Sequence, residues 1–174
     1  KATKEAQEFV MYNYHTNVTI NKFEVGTDKF VAGAKLHLED ENGKVIASWV
    51  SGKDAFSIDT LLPGIYFIVE DEAPAGFVKA EPVKIEVKAT MDEQNFAMYN
   101  DFTKVYINKF EIGTTKFVKG AKLHIVDAQG AIIAEWVVGD EAYYIPYLPA
   151  GEYKLVEDKA ADGYIVADAI TFTV

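Results

Sequence analysis

Tyr66-Phe67-Ile68-Val69-Glu70-Asp71-Glu72-Ala73-Pro74-Ala75-Gly76-Phe77 is the stretch on which the reading of this chain turns. Tyr66, Ile68 and Glu70 alternate with Phe67 and Val69, the period of two that marks a strand with distinct faces. Leu62-Pro63-Gly64 precedes the run and Pro74-Ala75-Gly76 follows it, so turns bound it on both sides. A carboxylate therefore shares a strand face with two large apolar side chains. The same stretch returns as Tyr153-Lys154-Leu155-Val156-Glu157-Asp158-Lys159-Ala160-Ala161-Asp162-Gly163-Tyr164, offset by 87 residues.

That offset organises the whole chain, and internal repeats decide architecture before any local reading does. Lys22-Phe23-Glu24-Val25-Gly26-Thr27 returns as Lys109-Phe110-Glu111-Ile112-Gly113-Thr114, and Gly33-Ala34-Lys35-Leu36-His37 as Gly120-Ala121-Lys122-Leu123-His124. Phe9, Met11, Tyr12 and Asn13 match Phe96, Met98, Tyr99 and Asn100 at the same spacing. Residues 1–13 thus carry the pattern that ends a repeat. They are expected to be the closing strand of a preceding repeat or a donor strand. Residues 14–100 form a first repeat, and 101–174 a second that lacks its last strand in cis.

Short β-branched and aromatic runs recur throughout: Val18-Thr19-Ile20, Lys35-Leu36-His37-Leu38, Val45-Ile46-Ala47-Ser48-Trp49 and Val83-Lys84-Ile85-Glu86-Val87. Asn42-Gly43 adds a hairpin signal. With no helical stretch, the expectation is all-β: two tandem Ig-like β-sandwiches joined stiffly end to end.

The 174 residues include 17 Lys plus Arg, all of them Lys, against 27 Asp plus Glu, for a net charge of −10. A chain without Arg and with this balance is a poor partner for nucleic acid. Zero Cys excludes disulfides and thiol nucleophiles. No apolar run approaches the roughly 20 residues of a membrane span. Nothing at Lys1 resembles a signal peptide, which points to a mature chain or a piece of a longer one.

Parity places three polar residues on apolar faces. Val18, Ile20 and Lys22 share one, as do Tyr66, Ile68 and Glu70, and Phe96, Met98 and Asn100. The second repeat has Val105, Ile107, Lys109 and Tyr153, Leu155, Glu157. The leading segment has Phe9, Met11 and Asn13. One reading puts these groups at the sandwich rim, with Lys reaching to water and pairing with Glu. The other is chemical. Burial lowers a Lys pKa and raises a Glu pKa. A neutral amine is a nucleophile, and a buried Glu can shuttle protons. Attack on an Asn carboxamide would expel ammonia and leave a Lys–Asn isopeptide bond.

Each repeat resembles the CnaB-type (SpaA-like) domain of Gram-positive surface adhesins and pilins. The resemblance rests on Ile20-Asn21-Lys22, Gly33-Ala34-Lys35-Leu36, Leu62-Pro63-Gly64-Ile65-Tyr66, the Tyr66–Phe77 box and the closing Met98-Tyr99-Asn100. It covers residues 14–174. Phe23 and Phe110 depart from the Asp often found after the bonding Lys, and Ala161 replaces the box Pro. The resemblance implies Lys22 as nucleophile, Asn100 as electrophile and Glu70 as catalytic acid/base. It further implies Lys109 and Glu157 in the second repeat, where Asn13 of a neighbouring chain is the expected bonding partner of Lys109.

The expected function is structural. The chain reads as a stalk or pilus-shaft module of a cell-wall-associated bacterial surface protein, self-crosslinked and without turnover catalysis. Its expected partners are neighbouring repeats and further copies of the chain, met head to tail through residues 1–13. It needs no cofactor, and no host ligand can be named. The alternative is an adhesin module recognising host protein or glycan, for which Tyr143, Tyr144 and Tyr147 are a candidate patch against a core role. His37 and His124 read as exposed strand residues rather than metal ligands. Glu39-Asp40-Glu41-Asn42-Gly43 reads as a hairpin turn rather than a calcium loop.

Overall fold

The structure is a computed structural model and describes residue 4 and residues 6–174. The described residues form thirteen strands and no helix. In the first unit these are β1 (Asn17–Glu24), β2 (Lys35–Asp40), β3 (Val45–Val50), β4 (Phe56–Asp59), β5 (Gly64–Glu72), β6 (Val83–Val87) and β7 (Glu93–Asn100). The second has β8 (Lys104–Ile107), β9 (Lys122–Asp127), β10 (Ile132–Val137), β11 (Tyr143–Pro146), β12 (Glu152–Lys159) and β13 (Ile170–Thr173). By compactness, residues up to Glu72 group with Ala80–Tyr99, and Ala73–Lys79 group with Asn100–Val174. The division falls within β7, between Tyr99 and Asn100.

The first unit pairs a sheet of order β4-β1-β7 with one of order β3-β2-β5-β6. Val18 and Ile20 of β1 and Met98 of β7 meet Leu36, Leu38, Tyr66, Ile68, Ile85 and Val87 in a single buried cluster. Every contributor follows the period-two parity of its strand. Each such side chain taken from water contributes about 1.5–3 kcal/mol. Trp49 stacks on Phe56 at a centroid distance of 4.3 Å and closes one side.

The hairpin after β2 is a turn, as its sequence predicts. Asp40 Oδ1 accepts from the Asn42 and Lys44 backbone N–H groups, and Gly43 takes φ +76°. Asp127 does the same for Gln129 and Ala131. Among the described residues no cluster of acidic or His side chains has the arrangement of a metal site. His37 and His124 point instead at Asp71 and Asp158, at 3.0 and 2.9 Å.

The His37–Asp71 contact makes a pH prediction. Hydrogen bonding to Asp71 raises the His37 pKa above its ordinary value, with Glu39 adding to the effect. A raised folded-state pKa stabilises fully below the unfolded value of about 6.5 and is lost as pH rises through the folded value. The thermal midpoint of wild type should therefore exceed that of His37→Gln at acidic pH, and the gap should close as the medium turns alkaline.

The second unit repeats the pattern with one sheet of order β10-β9-β12-β13 and one of order β11-β8. Its buried residues fall into two clusters, one around Val118, Ala121, Leu123, Val138 and Ala161, the other around Ile125, Leu148 and Tyr153. β8 has four residues where β1 has eight. The part of β1 that pairs with β4, Asn17 to Ile20, corresponds to all of β8, which pairs with β11 over Lys104 to Ile107. β7 lies on the other side of β1. Among the described residues β8 has no strand on that side.

Tyr143 stacks on Trp136 at 4.2 Å, Tyr144 on Tyr106 at 4.7 Å and Tyr147 on Phe102 at 4.4 Å. The three tyrosines of the candidate patch are thus each paired with another ring. Residue 4 and residues 6–13, the described part of the leading segment, belong to no strand, with Phe9 88% and Met11 89% exposed. Residues 1–3 and 5 of the segment expected as a closing or donor strand lie outside the described residues.

Candidate functional site

Three strands carry the polar residues singled out by parity. β1 buries Val18, Ile20 and Lys22 on one face, and Lys22 is 4% exposed. β5 buries Tyr66, Ile68 and Glu70, with Glu70 fully inaccessible. β7 lies hydrogen-bonded beside β1 and ends in Asn100, also fully inaccessible. The rim reading fails for Lys22, whose side chain is 3% exposed and does not reach water.

Lys22 Nζ stands 3.4 Å from Glu70 Oε1. At that distance the two groups face each other as an ion pair, beyond the range of a charge-assisted hydrogen bond. Burial pushes the Lys22 amine below its ordinary pKa, against the pull of the Glu70 carboxylate. The lowered value increases the share of neutral amine, the form with a lone pair to donate. Glu70 Oε2 accepts the backbone N–H of Ala80 at 2.6 Å, which fixes the carboxyl plane. Asn100 Nδ2 donates to the Val78 carbonyl at 2.6 Å, which fixes the carboxamide.

Val78 and Ala80 were not visible as site residues. They act through backbone atoms, and a backbone partner leaves no mark on residue type. The segment that supplies them follows the box directly, and its placement there is the signal that could have found them. Glu24 was also missed. It continues the Val18-Ile20-Lys22 face, is 6% exposed and pairs with Lys29 at 3.1 Å. Its counterpart Glu111 pairs with Lys116 at 3.1 Å, so the shared Glu and Lys spacing in the two repeats was a usable signal. The departing residues Phe23 and Phe110 pack on Phe30 and Phe117, each at 4.8 Å, and pin the loop that follows the Lys.

The second unit repeats half of the constellation. Lys109 Nζ lies 3.2 Å from Glu157 Oε2, and the same oxygen accepts the Ala167 backbone N–H at 2.6 Å. The Lys109 side chain is 22% exposed, and Lys109 follows β8 rather than lying within a strand. Asn13 is exposed and in no strand.

The family described as SpaA, prealbumin-like fold domain, matches residues 16–101 and again 103–174. Among solved structures, the Bacillus anthracis TIE protein is similar at 21% identity and a TM-score of 0.56, over 92% of this chain and 32% of that one. A streptococcal ancillary pilin is similar at 18% identity and a TM-score of 0.48, over 94% and 60% of the two chains. BcpA, the major pilin subunit of Bacillus cereus, is similar at 12% identity and a TM-score of 0.46, over 92% and 95%. At 21% identity, the likeness to the first of these is one of fold. The chain spans about a third of the TIE protein's length. No curated protein matches. Two all-β units, matched end to end by one family, make this chain a tandem pair of prealbumin-like domains belonging to the SpaA family.

Proposed function

We propose that the chain is a structural segment of a bacterial surface protein or pilus shaft, locked by a Lys22–Asn100 isopeptide bond that forms autocatalytically. The observation that carries this reading is the fully buried Glu70 facing a buried Lys22, with a buried Asn100 closing the strand beside β1. Buried ionisable groups cost stability unless they are paired, and a fold that wanted only a core would fill these positions with apolar side chains.

The chemistry balances within the chain. The neutral Lys22 amine attacks the Asn100 carboxamide carbon, and a C–N bond forms. Glu70 takes a proton from the attacking nitrogen and delivers one to the departing Asn100 nitrogen. The C–Nδ2 bond breaks, ammonia leaves and Glu70 returns to its starting state. Each chain performs the step once, so the reaction is not turnover catalysis.

The function follows from where the bond lies. It joins the first strand of the unit to its last. Tension applied along the chain would run through Lys22 and Asn100, and the sandwich between them would be shielded from it. A cysteine-free chain gains covalent locking without an oxidant, which suits exposure outside the cell. No helix among the described residues is long and apolar enough to cross a membrane. Related pilin subunits adopt this fold, and neighbouring repeats are the partners such a segment would have.

Proteolytic mapping tests the reading. After complete digestion, a branched peptide carrying both Lys22 and Asn100 is expected. Recovery of the two residues only in separate linear peptides would overturn it.

A further inference from the structure

The hairpin that joins β2 to β3 carries the chain's sole Asn-Gly pair, Asn42-Gly43. Both residues are exposed, so water reaches them. Asn is among the chemically labile side chains. A glycine has no side chain to shield its backbone nitrogen, which lets that nitrogen approach the carboxamide of a preceding Asn. How the two groups are oriented then decides how fast they react.

The turn holds that nitrogen away from the reaction. The backbone N–H groups of Asn42 and Lys44 donate to Asp40 Oδ1 at 2.9 and 3.0 Å. Between them, the Gly43 N–H donates to the Asp40 carbonyl at 3.0 Å, and the Asp40 N–H closes the turn on the Lys44 carbonyl at the same distance. The consecutive N–H groups of Asn42, Gly43 and Lys44 thus all end on Asp40. To react, the Gly43 nitrogen must give up its hydrogen bond and swing toward the Asn42 side chain. The two flanking bonds resist that motion, and bonds to a charged acceptor are the stronger kind.

The second unit supplies the contrast. Asp127 Oδ1 accepts the Gln129 and Ala131 N–H groups at 2.9 and 2.8 Å, and the Asp127 carbonyl accepts the Gly130 N–H at 3.0 Å. The cradle is the same, but the residue before the glycine is Gln. Its extra methylene would make the cyclic product a six-membered ring instead of a five-membered one, and that ring closes far more slowly. One turn geometry therefore surrounds two side chains of different reactivity.

We propose that Asn42 is a site of spontaneous backbone modification, and that the hydrogen bonds to Asp40 restrain it in the folded chain. The Gly43 nitrogen bonds to the Asn42 side-chain carbonyl carbon, the C–Nδ2 bond breaks, and the Gly43 proton leaves with Nδ2 as ammonia. The cyclic imide then takes up water at either carbonyl. Opening at one gives aspartate, and opening at the other gives isoaspartate, which adds a methylene to the main chain. The hairpin so altered joins β3 to β2, the strand whose Leu36 lies opposite Glu70 of β5.

The test incubates the whole chain at mildly alkaline pH, folded and in guanidinium chloride. The peptide holding residues 42 and 43 is then followed by mass and by chromatography that separates isoaspartate from aspartate. Exchange of ammonia for water is expected in both samples, and more slowly in the folded one. Asp40→Ala, checked for folding by its thermal transition, should react about tenfold faster than folded wild type, which corresponds to about 1.4 kcal/mol of turn opening. Asp40→Asn keeps a carbonyl acceptor at Oδ1 and should stay near the wild-type rate. The peptide holding Gln129 should remain unmodified throughout. A folded wild type that reacts as fast as the unfolded chain overturns the restraint, as does Asp40→Ala at the wild-type rate. Asp40→Asn reacting as fast as Asp40→Ala overturns Oδ1 as its source. An Asn42 that stays intact in the unfolded chain and in Asp40→Ala overturns the site. The change lies within one linear peptide, so it is read whether or not Lys22 and Asn100 are joined.

Discussion

Lys22→Ala is expected to lower the stability of the first unit by about 4–5 kcal/mol. The proposed bond from Lys22 to Asn100 would close most of the unit into one loop. On the chain-entropy description of a cross-link, a loop of that span restricts the unfolded state by about that amount. A domain of this size shifts its thermal midpoint by about 4–8 °C for each kcal/mol. The midpoint of the first unit should therefore fall by about 16–40 °C, while the transition of the second unit stays in place. Differential scanning calorimetry separates the two transitions. The variant also leaves the buried Glu70 without the Lys22 nitrogen that faces it, which adds to the loss. Asn100→Ala removes the bond while keeping the Lys22–Glu70 pair, so its midpoint isolates the contribution of the cross-link. A drop in Asn100→Ala no larger than about 4–8 °C, the size of a single kcal/mol, contradicts the bond.

Glu70→Gln is expected to have the second large effect, and for a different reason. Gln has the shape of Glu, and its carbonyl oxygen can still accept the Ala80 N–H that Glu70 Oε2 accepts at 2.6 Å. It cannot take a proton from the amine and pass it on. The variant should fold with Lys22 and Asn100 in place and lose no ammonia. It should also be less stable than Asn100→Ala, because Lys22 would sit buried against a neutral amide. Removing one partner of a buried pair costs about 3–5 kcal/mol. Full ammonia loss by Glu70→Gln would remove Glu70 from the chemistry.

Much of this arrangement was legible because a strand has only two faces. Once Val18 and Ile20 are assigned inward, Lys22 has nowhere else to go. The same holds for Glu70 after Tyr66 and Ile68, and for Asn100 after Met98. Parity gives direction and not depth, so it could not distinguish a rim Lys from a buried one. Depth is set by what lies across and beside the strand, which is why Lys22 and Lys109 share a pattern and differ in burial. β4 escaped notice because Phe56-Ser57-Ile58-Asp59 is only four residues long and follows the turn-rich Gly52-Lys53-Asp54. The shortened β8 could not be read either, since its length is set by its neighbours rather than by its own residues. The backbone groups of Val78 and Ala80 that hold Asn100 and Glu70 carry no side-chain signature.

The two repeats also act as mutual controls. They share the Glu, the Lys and the backbone N–H that orients the carboxyl, and among the described residues they differ in whether a strand is paired beside the strand that leads to the Lys. The first unit buries its site and gathers its core into one cluster, while the core of the second divides in two. In the first unit β7 supplies both the Asn and a central apolar residue, Asn100 and Met98.

The mass of the denatured intact chain tests the central claim most directly. The account predicts that wild type is lighter than its sequence by the mass of ammonia, once for each bond formed. Lys22→Ala, Asn100→Ala and Glu70→Gln should each retain the ammonia of the first unit. A wild-type chain with the full mass of its sequence would contradict the account.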